Sequence, residues 1–314
     1  MTPGSEARIG DLPFRELLSR CAGGGIRLDY GAATVSVQCS IPGFVEALAL
    51  VYRNFELAPL RDSFSDYHVV LKRSGGFRRI FRPQCHFSID NLEPFAPFPL
   101  SSGLPLFEWG VNWSFAHRGN QYLQLHSGAL ASNDRAVIMA APPGSGKSTL
   151  AAAMMLTGFR LLSDEFGVLS PETGCLLPML KPIALKNQSV EVIRTFSKEA
   201  VIGPLYTGTR KGDVAHLAPN KASVAAAARS ARPELIVFPA FEAGAKLKAH
   251  RVPDEEAFAR LAFNSFNYHL LGPIGFDAVA RVIESCPAYQ LRYSALDQAI
   301  EWIRERLLET GTKS

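Results

Sequence analysis

The stretch from Arg135 to Val168, RAVIMAAPPGSGKSTLAAAMMLTGFRLLSDEFGV, constrains the fold more tightly than any other part of the chain. It opens with five apolar residues, Ala136 to Ala140, the pattern of a parallel strand buried on both faces. A Gly-rich turn follows. Lys147 to Thr157 then reads as a helix of small residues that Gly158 ends. Phe159 to Leu162 is a second short strand, and it delivers Asp164 and Glu165 to the same sheet edge as the turn. The unit points to an α/β fold.

The chemistry at that edge concerns charge. Gly144-Ser145-Gly146-Lys147-Ser148-Thr149 has the core of a phosphate-binding loop, in which glycines let backbone N–H groups converge on phosphate oxygens. The helix that begins there adds the positive end of its dipole. Lys147 is placed to reach terminal phosphates and Ser148 to ligate Mg²⁺. One position departs from the usual loop: Ala141, followed by Pro142 and Pro143, stands where a glycine normally opens it. Asp164 lies seventeen residues after Lys147, room for one helix and one short strand, so the acid pair returns beside the loop. Adjacent carboxylates on a strand point to different sides, so one can hold Mg²⁺ and the other accept a hydroxyl proton. This spacing suggests a compact P-loop kinase.

Composition excludes several other classes. Hydrophobic residues make up 47% and charged residues 20%, as in a globular protein with ample core material. No apolar run is long enough to span a membrane, and the first residues lack the pattern of a signal peptide. The five cysteines, Cys21, Cys39, Cys85, Cys175 and Cys286, have no metal-ligand spacing, and a reduced, cytoplasmic protein is expected. A net charge of +4 suits an anionic ligand and is too small to indicate a nucleic-acid binder.

The expected organisation is a mixed α+β N-terminal region over 1–92, a Pro- and Ser-rich linker over 93–105, an α/β P-loop domain over 106–309 and a tail over 310–314. Residues from Met1 to about Asp11 should be loosely attached. Thr34 to Cys39 alternates as a strand and Phe44 to Phe55 has helical period. Tyr67 to Leu71 and Phe77 to Phe81 flank Ser74-Gly75-Gly76 as a hairpin, with Arg78, Arg79 and Arg82 on a solvated face. Leu106 to Ala116 reads as a helix on which Trp109 and Trp113 share a packing face. Tyr122 to Leu130 reads as a strand carrying His126, and a lone strand histidine is usually structural. Lys181 and Lys186 sit in an apolar stretch. Gly203 to Ser223, with Thr209, Arg210, Lys211, His216 and Lys221, reads as a long polar loop. Leu235 to Phe241, Lys246 to Val252 and Tyr289 to Tyr293 read as strands. The stretches from Pro253, from Phe276 to Ser285 and from Ala295 to Leu308 read as helices.

His126, fifteen residues ahead of Ala141, the loop APPGSGKST and the following GFRLLSDE together resemble the HPr kinase/phosphorylase family. LKPIALKNQSVEVIR and NSFNYHLLGPIGF narrow the resemblance to the HPr kinase-related proteins called group A. It spans roughly Leu106 to Leu308. It implies an HPr kinase-like domain that binds ATP and Mg²⁺, with Asp164 as proton acceptor, Glu165 and Ser148 on the metal, Lys147 on phosphate and His126 as a site residue. This chain has Asp-Glu where the family has two aspartates. It also lacks the L-E-I-R-G signature, and Lys186 stands near that place. The expected activity is transfer of the γ-phosphoryl group to a hydroxyl, a serine of a peptide or protein. The alternatives are a small free-serine-like acceptor and a non-catalytic ATP-binding module. The resemblance also implies a homo-oligomer.

Overall fold

A computed structural model describes residues 7–57, 64–76, 81–209 and 211–310. The N-terminal part contains α1 (Phe14–Gly23), β1 (Ile26–Asp29), β2 (Thr34–Cys39), α2 (Pro42–Val51), β3 (Tyr67–Arg73), β4 (Gln84–Ile89) and β5 (Phe98–Pro99). The strands form one sheet in the order β1-β2-β3-β4-β5. Only β2 and β3 run parallel, because α2 crosses over between them. Period-two burial gives the sheet an inner face of Val35, Val37, Val69, Leu71, Phe87 and Ile89.

Three expectations change here. The strand that returns against β3 is Gln84–Ile89, where QCHFSI alternates cleanly; Phe77, Arg78 and Arg79 lie outside the described residues, and Arg82 is exposed. Met1 to Glu6 are likewise outside them, but residues 7–11 are tied down. Ile9 is fully buried, and its N–H donates to the Phe55 carbonyl at 2.9 Å. The segment read as a linker carries β5, a 3-10 turn and the first residues of the next helix. Its Phe95 stacks on Trp109 at 4.1 Å, so apolar contact ties it down despite its prolines.

That helix, α3 (Gly103–Arg118), leads to the larger part of the molecule: β6 (Leu123–Ser132), β7 (Arg135–Ala140), α4 (Lys147–Leu156), β8 (Arg160–Ser163), β9 (Phe166–Leu169), β10 (Leu176–Leu177), β11 (Ile183–Lys186), α5 (Gln188–Phe196), β12 (Tyr206–Thr209), β13 (Gly212–Leu217), α6 (Lys221–Ala225), β14 (Arg232–Phe241), β15 (Lys248–Arg251), α7 (Asp254–Phe263), α8 (Tyr268–Leu271), α9 (Pro273–Ser285), β16 (Ala288–Tyr293) and α10 (Leu296–Thr310). The central sheet runs β10-β9-β6-β7-β14-β16-β15, with β8 also on β6. It is mixed: β7, β14 and β16 are parallel neighbours, while β6 is antiparallel to β7. The fold is therefore α/β, and β7 is parallel to its neighbour on one side only.

Central strands are buried on both faces, which explains their unbroken apolar runs. Val137, Met139, Leu235 and Val237 face α4 and α10, in a cluster continuous with Ile9, Leu48 and Phe107 of the N-terminal part. Ile138, Ala140, Ile236 and Phe238 face α7 and α9. The first cluster joins both parts of the chain in one core. Gly203 to Ser223, expected as a polar loop, instead holds β12, β13 and α6, and β13 pairs with β11. Its sequence GDVAHL buries Val214, Ala215 and His216, a short apolar run hidden among charged neighbours; Arg210 is outside the described residues. Among the described residues no helix is long and apolar enough to cross a membrane.

The two parts meet closely at Gly110 of α3, where an added Cβ would lie 2.3 Å from the Phe87 ring of β4. Gly110→Ala should cost about 1–3 kcal/mol through overpacking, read as a lower denaturant midpoint. An unchanged midpoint would contradict this packing.

Candidate functional site

β6 is long enough to pair with two strands in succession on one side. Ala129 and Leu130 face Ser163 and Leu161 of β8, and His126 and Leu125 face Phe166 and Gly167 of β9. Asp164 and Glu165 occupy the break between β8 and β9, opposite Ser127 and Gly128. They thus follow the end of β8, as expected, and a second strand, β9, begins directly after them. The Ser163 hydroxyl stabilises the break by accepting from the N–H groups of Phe166 at 3.0 Å and Glu165 at 3.3 Å. On the other side of β6, Ser127 pairs with Ala140, the last residue of β7 before the Gly-rich turn. One strand separates the turn from the acid pair. Gly128 lies at the crossing: a Cβ there would be in ordinary contact with both sides, 3.8 Å from Lys147 Cγ and 3.7 Å from the Asp164 carbonyl.

The turn itself depends on two glycines. Gly144 and Gly146 have φ of +86° and +85°, which side chains rarely tolerate. At Gly146 space forbids one as well, since a Cβ would lie 2.8 Å from Tyr293 Oη and 2.9 Å from Phe241 Cβ. The ends of β14 and β16 brace the turn: the Phe241 N–H donates to the Ser145 carbonyl at 3.0 Å, and the Tyr293 hydroxyl to that of Gly146 at 3.4 Å. Helix α4 starts at Lys147 without a side-chain cap. The N–H groups of its first turn have no intrahelical partners, so this end can receive an anion.

Turn, helix start and acid pair share a cavity of about 1090 Å³. Gly144, Ser145, Gly146, Lys147, Ser148 and Thr149 all line it, as do His126, Asp164 and Glu165. Pro142 and Pro143 also line it and leave it open. The predicted site residues therefore come together. Within the cavity wall, Ser145 Oγ and Asp164 Oδ1 are buried and lack a hydrogen-bond partner. Burial pushes the Asp164 carboxyl up to about 6, against the pull of Lys147. Burial also lowers the Lys147 ammonium, while Asp164 and Glu165 oppose the shift. His126 is brought down to about 4, by burial first and then by Lys147. It is a neutral imidazole near pH 7, able to donate or accept a hydrogen bond but not to supply positive charge.

The two lysines of the apolar stretch separate. Lys186 lines the cavity, whereas Lys181 is buried behind it in an ion pair with Glu108 at 3.1 Å. Two asparagines with no expected site role also contribute. Asn264 clamps the strand of His126, its carbonyl accepting from the His126 N–H at 2.7 Å and its amide donating to the His126 carbonyl at 2.8 Å. Asn112 of α3 donates to Glu165 Oε2 at 2.7 Å. Among the described residues no three His, Cys, Asp or Glu side chains are grouped as metal ligands. Ser148 and Glu165, the oxygen donors expected for a metal, line the same cavity as Asp164. Comparison with known proteins finds no matching family model and no matching curated protein.

Asp164 yields a stability prediction. A carboxyl whose folded pKa is raised contributes stability that is present below its ordinary pKa of 3.8 and is lost as pH rises through about 6. Asp164→Asn should therefore raise the melting temperature of the ligand-free protein at about pH 7.5, by the equivalent of roughly 1–3 kcal/mol, and less at about pH 5. A gain independent of pH would contradict the raised proton affinity.

Proposed function

We propose that the protein is an ATP-dependent phosphotransferase of HPr kinase-like type, moving the γ-phosphoryl group to a serine-like hydroxyl of a peptide or protein. One observation carries the reading: Lys147 at an uncapped helix start shares a cavity with Asp164, whose Oδ1 is buried and unpartnered. A buried acceptor oxygen without a donor costs stability, and in this reading the hydroxyl of the incoming acceptor supplies the missing partner. The sequence resemblance gives Asp164 the same role.

The loop amides and Lys147 hold the phosphate oxygens and stabilise the charge that develops on them. Asp164 Oδ1 takes the hydroxyl proton while the acceptor oxygen bonds to phosphorus and the bond to the bridging oxygen breaks, releasing ADP. Neutral His126 orients the acceptor by a hydrogen bond. Ser148 and Glu165 would hold Mg²⁺, which supplies neutralisation of phosphate charge when bound. Lys186 lies at the same cavity as a further cation.

Asp164→Asn should abolish transfer with ATP binding retained, and the parent's rate should fall as pH drops below about 6, where Asp164 gains a proton. Incubation with γ-labelled ATP and cell extract reads the outcome. Label on a polypeptide supports the proposal, label on a small metabolite moves the acceptor to a free hydroxyl compound, and label on neither leaves an ATP-binding module. Normal turnover of Asp164→Asn would remove it as the base. Lys147→Ala should lose nucleotide in all cases, measured by calorimetry.

A further inference from the structure

Behind Glu165 runs a chain of half-buried and buried polar groups for which the site as described has no use. Glu165 Oε2 accepts from Asn112 Nδ2 at 2.7 Å, and Asn112 Oδ1 accepts from the Lys181 ammonium. The same ammonium donates to the Glu108 carbonyl at 2.9 Å and pairs with Glu108 Oε2 at 3.1 Å. The other carboxylate oxygen, Glu108 Oε1, accepts from the Tyr52 hydroxyl at 2.6 Å, and Tyr52 lies 3.0 Å from the Tyr30 hydroxyl. Tyr30 and Tyr52 are fully buried in the N-terminal part, and Glu108 and Lys181 are 5% and 8% exposed. Every donor of Lys181 and both carboxylate oxygens of Glu108 are engaged.

The direction of these bonds matters. Glu108 and Asn112 are four apart on one face of α3, so one lysine reaches both. An ammonium on Asn112 Oδ1 forbids the flipped amide, which would put two donors together. The amide must therefore present Nδ2 to Glu165. An amide donor on one carboxylate oxygen fixes the plane of that carboxylate and leaves the other oxygen free. A network satisfied at every member is stiff.

We infer that Asn112, locked by Lys181 and Glu108, is a positioning residue that holds Glu165 with one oxygen turned to a nucleotide-bound divalent cation, and that the N-terminal part anchors this device through Tyr52. The inference rests on the phosphotransferase reading above. It also gives the N-terminal part a role beyond completing the core: the buried ion pair that sets Asn112 is closed by the hydroxyl of Tyr52, at the C-terminal end of α2.

The test uses Mn²⁺ as the probe, with ATP and the full chain. Asn112→Asp keeps shape and the Lys181 contact but turns the donor into a carboxylate against Glu165; Asn112→Ala removes the donor. Both should weaken Mn²⁺ binding to the ATP complex by about tenfold or more, as loss of a ligand's orienting partner does, followed by electron paramagnetic resonance. ATP binding in EDTA, which Lys147 and the loop serve, should stay unchanged. If Asn112→Ala fails to fold, the isosteric Asp variant carries the test. Equal Mn²⁺ affinity in parent and variants overturns the inference while leaving the kinase reading intact. A parent that binds ATP neither with nor without metal overturns both.

Discussion

A lysine and a carboxylate line one cavity from the two sides of a single strand that carries a glycine at the crossing. Lys147 begins a helix on one side of β6, Asp164 sits in the break between β8 and β9 on the other, and Gly128 lies between them. Burial works against both charges, raising Asp164 and lowering Lys147, and their mutual attraction opposes burial without cancelling it. A charge pair in this state is costly to the resting protein and favours binding of polar groups that complete it. The surrounding fold over-determines it: Phe241 and Tyr293 hold the turn, Ser163 holds the break, and Asn264 holds the strand of His126.

The outer parts of the molecule act on this centre through packing. The face of the central sheet that carries α4 is continuous with the N-terminal core, so a change at Gly110 or Ile9 bears on the support of the site. The polar chain from Tyr30 to Glu165 runs along the same junction. Electrostatics at the centre and hydrophobic burial around it thus depend on one arrangement of α3.

Much of this could be read from the residues, and the gaps have physical causes. Strand, turn and helix from Ala136 to Leu156 were legible because a two-face-buried strand, two obligatory glycines and a small-residue helix each leave a local pattern. The proximity of the acid pair followed from seventeen residues of separation. That a second strand begins directly after Asp164 and Glu165 was not legible, because β9 pairs with the same β6 as β8 and that pairing has no local signal. The hairpin of β12 and β13 was hidden by its polar side chains, and β4 was displaced by a nearer apolar alternative. Asn112 could not be found at all, because an asparagine in a helix gives no periodicity and its importance lies in what it touches; Asn264 stood in a stretch noted for its resemblance, but with no role attached.

The most direct measurement is a crystal structure of the protein with Mg²⁺ and a non-hydrolysable ATP analogue. The account predicts the terminal phosphate between the Lys147 ammonium and Asp164, its oxygens on the N–H groups of the Gly144 to Thr149 turn and the metal on Ser148 and Glu165. An analogue bound elsewhere, or a turn that refuses phosphate while Asp164 turns from the cavity, would contradict it.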